Sequence, residues 1–178
     1  MELSNRTVLG TGGTGGIGLG IAEAFYRSGS RVIVCGRDPD RLSLVELTAL
    51  FIGHLIKRPS AAIINVSSGL GFMPMLNMPI YCATKAAVHT YSLVLRQQLE
   101  DTPVKVVEIV PPMVDTDLNK EGRDRAHLKF RGISLSEYIP TVIEGLENDA
   151  EMVFHGDGEK MMTDPRGQSE SRLLTPSW

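Results

Sequence analysis

Apolar residues along the chain alternate between short continuous runs and helical stripes. The continuous runs are typical of buried strands and stand at 7–9, 32–35, 61–66, 104–110 and 151–154. Between them, apolar residues recur three and four positions apart, as on one face of a helix, over 16–27, 43–57, 79–100 and 134–147. Strands that alternate with helices predict an α/β protein, whose parallel sheet is covered by helices on both faces.

Glycine and proline mark several boundaries of these elements. Ser28 and Gly29 end the first predicted helix, and Pro79 stands where a first-turn proline belongs. The charged stretch 113–132 predicts a polar loop or a short helix. From Gly156 onward the chain is polar and aperiodic, so we expect a single domain over 1–155 and a disordered tail over 156–178.

A glycine-rich turn joins the first predicted strand to the first predicted helix. Its sequence is Thr11-Gly12-Gly13-Thr14-Gly15-Gly16-Ile17-Gly18. Strand, turn and helix in this order hold the pyrophosphate of a dinucleotide at the helix N-terminus. Gly12 permits the tight turn, Gly16 lets the backbone approach a phosphate, and Gly18 lets the helix pack on the sheet. The alternative is a flexible glycine-rich loop without a ligand.

The end of the second predicted strand bears on the choice of dinucleotide. An acidic residue there would bind the ribose 2′-hydroxyl of NAD, but the chain has Gly36 and Arg37. A cation favours a 2′-phosphate, so the sequence predicts NADP(H) in preference to NAD(H). An arginine that is merely exposed at a strand end is the alternative.

A tyrosine and a lysine stand four positions apart in the third predicted helix. This spacing places Tyr81 and Lys85 on one helical face. A neighbouring ammonium favours the phenolate and makes a tyrosine a better proton shuttle. Such a pair alone usually marks only a solvated face. Ser67 and Ser68 directly follow a predicted strand, and this second signal favours proton transfer.

Together these motifs resemble those of the short-chain dehydrogenase/reductase family. The matching stretches are Thr11-Gly-x-x-x-Gly-Ile-Gly18, Asn65-Val-Ser-Ser68, Tyr81-x-x-x-Lys85 and Pro111-Pro-Met-Val-Asp-Thr116. The resemblance extends over residues 6–118 with one interruption. It implies a Rossmann-like doubly wound parallel sheet. It also implies an NADP(H)-dependent oxidoreductase that interconverts a carbonyl and a secondary alcohol by hydride transfer.

The resemblance assigns a role to each matching residue. Tyr81 would be the general acid/base, and Lys85 would make its hydroxyl easier to ionise and bind the nicotinamide ribose. Ser68 would hold the substrate oxygen. The implied cofactor-binding residues are Thr11, Gly12, Thr14, Gly16, Ile17, Gly18, Arg37, Tyr81, Lys85, Val114 and Thr116. The last two would contact the nicotinamide carboxamide.

The chain departs from the family pattern at two single positions. Gly10 stands where the family has a β-branched residue, and we expect it to weaken the first strand. Pro112 stands where the family has a glycine, and it removes a backbone donor and flexibility.

A larger departure lies between Leu42 and Ser43. Two βα units, roughly 60 residues, are missing there relative to the family. They include a central strand and the catalytic asparagine, to whose position Asp40 lies nearest without matching it. Strand 7–9 must then either pair directly with strand 61–66 or leave a gap at the nicotinamide site.

Direct pairing of these two strands would shift the candidate cofactor residues relative to the candidate catalytic residues. A displacement of about 1 Å between reacting groups can already lower the rate about a hundredfold. This loss therefore makes a second functional hypothesis necessary. In that hypothesis the chain is a truncated, non-catalytic family member. It would at most bind a dinucleotide or pair with a full-length relative through helices 43–57 and 80–100. The same two helices would form a homodimer of the enzyme.

Composition excludes several other classes. The net charge of −3 offers no reason to expect nucleic acid or an anionic membrane as a partner.

No apolar run approaches the ~18 residues of a membrane span, and the first residues do not resemble a signal peptide, so a cytoplasmic protein is expected. Cys35 and Cys82 are expected to be free thiols. The four histidines lack metal-ligand spacing, so no metal site is expected. The expected partner is a small carbonyl or alcohol substrate of unspecified identity.

Overall fold

The computed structural model of the protein describes residues 1–11, 15–35, 44–116, 118, 132–156 and 158. These residues form parallel strands β1 (Thr7–Thr11), β2 (Arg31–Cys35), β3 (Ala61–Val66), β4 (Val104–Ile109) and β5 (Met152–Val153). The helices are α1 (Gly16–Arg27), α2 (Leu44–Leu55), α3 (Pro79–Gln98) and α4 (Leu135–Glu147). A short 3₁₀ turn (Gly69–Gly71) lies between β3 and α3. The predicted α/β class with parallel strands and covering helices is confirmed.

The described strands form two separate sheets. One contains β1 and β2, and the other has the order β3-β4-β5. Direct pairing of the first predicted strand with the strand at 61–66 is therefore wrong. Among the described strands, β1 pairs with β2, and β3 pairs with β4. Gly10 pairs with Val34 inside β1, so the strand continues through this glycine.

The chain divides into two compact units. The first comprises Met1–Arg41 and Met113–Ala150, and the second comprises Leu42–Pro112 and Glu151–Trp178. The single domain predicted over 1–155 stays a prediction. Most of the predicted tail, at 157 and 159–178, lies outside the described residues, as does most of the charged stretch 113–132.

The core of the first unit lies between α1 and α4. Gly20 lets the two helices approach closely, because a Cβ there would lie 2.5 Å from Ile139 Cδ1. Helix α4 begins after Ser134, whose hydroxyl accepts a hydrogen bond from the Glu137 backbone N–H at 3.2 Å. The buried side chains on the two helices are Ile21, Ala22, Phe25, Tyr138, Val142 and Leu146.

The core of the second unit joins the C-terminal half of α3 to the start of β4. Its buried members are Leu95, Leu99, Val104 and Val106. Helix α2 contributes Ile52 and Leu55, which pack against this cluster. The N-terminal half of α3 is thereby held over the same strands, and it carries the candidate chemistry. Within the described ranges, no helix is both long enough and apolar enough to cross a lipid bilayer.

Candidate active site

Helix α3 presents Tyr81 and Lys85 side by side. The helix begins at Pro79, whose fixed φ suits the first turn and whose missing N–H costs no intrahelical hydrogen bond. Lys85 Nζ lies 5.7 Å from the centroid of the Tyr81 ring. At this distance the ammonium is within the range of a cation–π interaction. The phenol and the ammonium therefore share one face of the helix.

Lys85 also attaches α3 to the sheet. Its Nζ donates a hydrogen bond to the carbonyl oxygen of Val66, the last residue of β3, at 2.9 Å. The side chain is half-buried, and burial lowers the pKa of Lys85 below its ordinary value of 10.5. The physical cause is partial loss of hydration, which disfavours the charged form. The hydrogen bond fixes the amine where the strand ends.

Ser68 stands just beyond the carboxyl end of β3. The preceding residue, Ser67, continues the strand pairing, because its N–H donates to the Ile109 carbonyl at 2.9 Å. The Ser68 hydroxyl accepts a hydrogen bond from the Leu70 N–H at 3.3 Å and caps the 3₁₀ turn. Within the described part of the chain this hydroxyl makes no other hydrogen bond, so its O–H can donate to a bound oxygen.

Gly71 places the 3₁₀ turn directly on α3. A Cβ built on this glycine would lie 2.9 Å from the Lys85 carbonyl carbon and 3.0 Å from the Ala86 nitrogen. The close approach of turn and helix backbone therefore requires glycine, and it places the Ser68 turn against the segment that carries Lys85. Sequence reasoning missed Gly71. The only signal was a glycine pair, Gly69 and Gly71, directly after the serines.

Sequence reasoning also missed an interaction between one residue of α3 and one residue of β4. The sequence places Glu108 inside the predicted strand 104–110 and gives His89 no metal-ligand spacing, so neither pattern indicates that the two residues interact. The structure places His89 Nδ1 2.8 Å from Glu108 Oε2, and the Glu108 side chain is fully buried. A carboxyl inside the run 104–110 is the signal that could have indicated a buried partner.

The first unit contains the described part of the candidate cofactor site. Gly16 has φ +56°, a left-handed conformation that favours glycine. A Cβ on Gly16 would lie 3.1 Å from Thr116 Cγ2, so residues of two separate motifs are in contact. Among the described residues, no side chain caps the start of α1, and the first turn of the helix has no acidic residue. The free N–H groups and the close approach at Gly16 fit a dinucleotide pyrophosphate.

The stretch that follows Pro112 is held by backbone hydrogen bonds. Val114 is buried and forms a parallel bridge with Ile133. The Asp115 N–H donates to the Ile133 carbonyl at 2.8 Å, and the Thr116 hydroxyl accepts from the Leu118 N–H at 3.2 Å. These contacts fix the backbone of Val114 and Thr116. Their contact with a nicotinamide stays a prediction.

Several predicted cofactor residues lie outside the described residues. These are Gly12, Thr14 and Arg37, and Asp40 lies there too. Only the backbone of Thr11 is described, as the last residue of β1, whereas Ile17 and Gly18 lie in the first turn of α1. The predicted roles of all these residues stay predictions.

Replacing Gly71 by alanine tests whether the turn rests on α3. The added Cβ would meet backbone atoms of Lys85 and Ala86, which cannot rotate away, so the free energy of unfolding should fall by about 1–3 kcal/mol. Urea unfolding measures it. The control is Gly53→Ala in α2, where a Cβ meets no atom within 4 Å and helix propensity should raise stability by about 1 kcal/mol. Equal stability of Gly71→Ala and wild type would contradict the contact.

The buried Lys85 amine predicts a pH-dependent stability difference. Its folded-state pKa lies below 10.5, so at alkaline pH the unfolded chain binds more protons at this side chain than the folded protein. The penalty for burying the charge is complete below the folded-state pKa and disappears as pH rises to about 10.5. Wild type should therefore gain stability relative to Lys85→Met as pH rises.

Urea unfolding of both proteins from about pH 7 to about pH 10.5 measures this difference. The matched control is Lys57→Met, since Lys57 is exposed and its removal should leave the difference constant with pH. A constant difference for Lys85→Met, or one that favours the variant as pH rises, would contradict the burial of the amine.

Comparison with known proteins is consistent with these motifs. A family model described as short chain dehydrogenase matches residues 40–127. The uncharacterized oxidoreductase DltE of Bacillus subtilis is 36% identical over 218 residues, which cover 83% of this chain and 86% of DltE. The NADP-dependent 3-hydroxy acid dehydrogenase YdfG of Escherichia coli K12 is 33% identical over 95 residues, covering 53% of this chain and 36% of YdfG.

The DltE alignment also bears on the missing segment. Since 83% of 178 residues is about 148, about 70 of the 218 aligned positions have no counterpart in this chain. That length agrees with the roughly 60 residues, two βα units, that the motif spacing indicates as missing.

A solved structure matches the fold over nearly its whole length. The short chain dehydrogenase from Burkholderia cenocepacia, in complex with NADP, has a TM-score of 0.74 and 20% sequence identity, with 99% of this chain and 100% of that chain covered. This likeness confirms a Rossmann-type α/β fold. Because the chain also spans 86% of DltE at 36% identity, it belongs to the short-chain dehydrogenase/reductase family.

Proposed function

We propose that this oxidoreductase is NADP(H)-dependent and interconverts a carbonyl and a secondary alcohol, with a small molecule as substrate, in the cytoplasm. The observation that carries the proposal is the grouping on α3. Lys85 Nζ lies 5.7 Å from the Tyr81 ring, and the turn that begins at Ser68 rests on the Lys85 backbone through Gly71. A proton donor, a cation and a hydroxyl are thus held on one short βα segment.

In this proposal Tyr81 moves the proton. Its hydroxyl gives a proton to the carbonyl oxygen during reduction and takes it back during oxidation. The Lys85 ammonium stabilises the phenolate that remains after the proton has left. Ser68 holds the same oxygen, since its O–H makes no hydrogen bond within the described part of the chain and can donate to it.

The cofactor would be held by the first unit. The start of α1, Gly16 and Thr116 would bind the dinucleotide, which supplies or accepts the hydride. Arg37 would pair with a 2′-phosphate, an assignment that rests on the sequence alone. Two known proteins support the choice of NADP(H): YdfG is NADP-dependent by name, and the Burkholderia structure contains NADP.

A non-catalytic role is the second candidate, and the missing segment favours it. A chain without about 70 of the aligned positions of DltE could bind a dinucleotide without turnover or pair with a full-length relative. Exposed apolar side chains support pairing through α2 and α3, as a homodimer or with such a relative. They are Val45, Leu50, Phe51, Leu93 and Val94. Turnover separates this role from the enzyme.

Oxidation of NADPH in the presence of a panel of small aldehydes and ketones tests the catalytic proposal. Wild type should turn over at least one of them. Tyr81→Phe should lose about a hundredfold or more in kcat, because general acid/base catalysis contributes at least that factor, while NADPH affinity is kept. The control is Tyr91→Phe, on the same helix but in the apolar cluster. NADPH binding without turnover of any carbonyl would contradict the enzyme and support the second candidate.

Arg37→Ala tests the choice of dinucleotide. A charge-assisted hydrogen bond to a phosphate is worth about 1.5–3 kcal/mol, so the variant should bind NADPH about tenfold or more weakly. Its affinity for NADH should hardly change, because NADH lacks the 2′-phosphate. Calorimetric titration measures both affinities, with Arg27→Ala at the exposed end of α1 as the control. An equal loss for both cofactors would contradict the assignment.

A further inference from the structure

Glu108 is the second-to-last residue of β4, where an apolar residue would be expected. Its side chain is 0% exposed, and the flanking Val107 and Ile109 are buried as well. One carboxyl oxygen, Oε2, lies 2.8 Å from His89 Nδ1. The other, Oε1, has no hydrogen-bond partner among the described residues. A buried, half-satisfied carboxyl costs stability relative to an apolar side chain of similar size. Stability alone therefore does not explain the pair.

His89 belongs to a polar stripe on the face of α3 that meets the sheet. Lys85, His89 and Ser92 follow one another at intervals of four and three residues. Lys85 bonds the carbonyl of Val66, His89 bonds Glu108, and Ser92 Oγ accepts a hydrogen bond from Asn65 Nδ2 at 2.9 Å. Asn65 and Glu108 are direct partners in the β3–β4 register. Three directional contacts thus tie α3 to two adjacent strands.

Directional contacts fix what apolar packing leaves free. Hydrophobic burial is non-directional, so the apolar cluster around Leu95 stabilises every rotation of α3 that keeps these side chains covered. Hydrogen bonds at Lys85 and His89 allow one rotation and one register. Tyr81 lies two turns before His89 on the same face, so its direction depends on both contacts.

His89 also contacts the turn that carries Ser68. The Phe72 ring lies 4.3 Å from the His89 ring, centroid to centroid, and 6.1 Å from the Phe154 ring. Phe72 directly follows Gly71, which rests on the Lys85 backbone. His89 therefore touches β4 through Glu108 on one side and the Ser68 turn through Phe72 on another.

We propose that Glu108 and His89 are positioning residues that hold α3 and the Ser68 turn in one fixed arrangement. The pair keeps Tyr81, Lys85 and Ser68 aligned without touching a substrate. Its catalytic consequence rests on the proposed function. Its structural part is independent of the proposed function. We call this part the clamp: the Glu108–His89 pair holds the Ser68 turn against α3.

Cys82 supplies a reporter for this clamp. Its thiol is buried, and Sγ accepts a hydrogen bond from the Met75 N–H at 3.3 Å. The segment 72–78 therefore covers the thiol, and a thiol reagent reaches it only when that segment leaves α3. The chain has one other cysteine, Cys35, which the background substitution Cys35→Ser removes.

The test compares Glu108→Leu, Glu108→Gln and Thr48→Ala in the Cys35→Ser background. The rate of reaction of Cys82 with dithiobisnitrobenzoate is measured beside the free energy of unfolding in urea. Loss of the hydrogen bond between Glu108 and His89 predicts a rise in rate of about tenfold for Glu108→Leu. Its unfolding free energy should stay level or rise, because a buried carboxyl with one unsatisfied oxygen is replaced by an apolar side chain, while the His89 side chain is 22% exposed and can be hydrated.

The two other variants separate positioning from general loosening. Glu108→Gln can still hydrogen-bond His89, so its labelling rate should stay within about threefold of the parent. Thr48→Ala removes a buried hydroxyl on α2, which donates to the Leu44 carbonyl at 2.8 Å, and leaves the clamp alone. Its unfolding free energy should fall by about 1 kcal/mol, with native-state labelling near the parent rate.

The kinetic readout uses the same variants. If the proposed function holds, Glu108→Leu lowers kcat about tenfold or more, leaves the KM for NADPH within about twofold, and is rescued by Glu108→Gln. Unchanged labelling in Glu108→Leu, or a rise that merely follows a loss of unfolding free energy, would overturn the clamp. An inactive parent with the expected labelling pattern supports the clamp and contradicts only the proposed function.

Discussion

The packing of α3 on β3 and β4 is the constraint on which the candidate site depends. Leu95 and Leu99 fix the C-terminal half of the helix against the start of β4, and the Lys85 hydrogen bond to Val66 fixes the N-terminal half. The continuous segment 61–109 contains both strands and the helix. It forms a βαβ unit in which β3 and β4 pair in parallel. The missing segment precedes it entirely, so the helix with Tyr81 finds its partners without that segment.

The first unit, which contains the described part of the candidate cofactor site, likewise includes a continuous βαβ segment. Residues 7–35 form β1, α1 and β2, again with parallel pairing of the two strands. The contact between Gly16 and Thr116 adds a residue from the motif after β4. Loss of whole βα units leaves each remaining βαβ unit with its internal hydrogen bonds. This modularity explains how a shortened family member keeps both sets of motifs. Turnover requires exact placement of the reacting groups, so it is the property that loss of the strand would reduce.

The local parts of this structure could be predicted from the sequence, and the non-local parts could not. The apolar periodicity predicted each helix and strand within a few residues, and the spacing of four placed Tyr81 beside Lys85 on one face. The approach of Gly71 to α3 depends on a tertiary contact that no local pattern encodes. The Glu108 interaction with His89 spans 19 residues and depends on the register of β4 under the helix. The motifs were compatible both with direct pairing of strands 7–9 and 61–66 and with a gap between them. They could therefore not predict that the described strands form two separate sheets.

The packing of α3 on β3 and β4 along both halves of the helix is the central claim, and amide hydrogen exchange of the whole chain, resolved residue by residue by NMR, tests it most directly. The account predicts strong protection across β3, β4 and α3 from Cys82 to Leu95, with Cys82 in the same cooperative unit as the apolar cluster. Protection confined to 91–106, with amides from 79 to 90 exchanging as fast as in an unfolded chain, would contradict it.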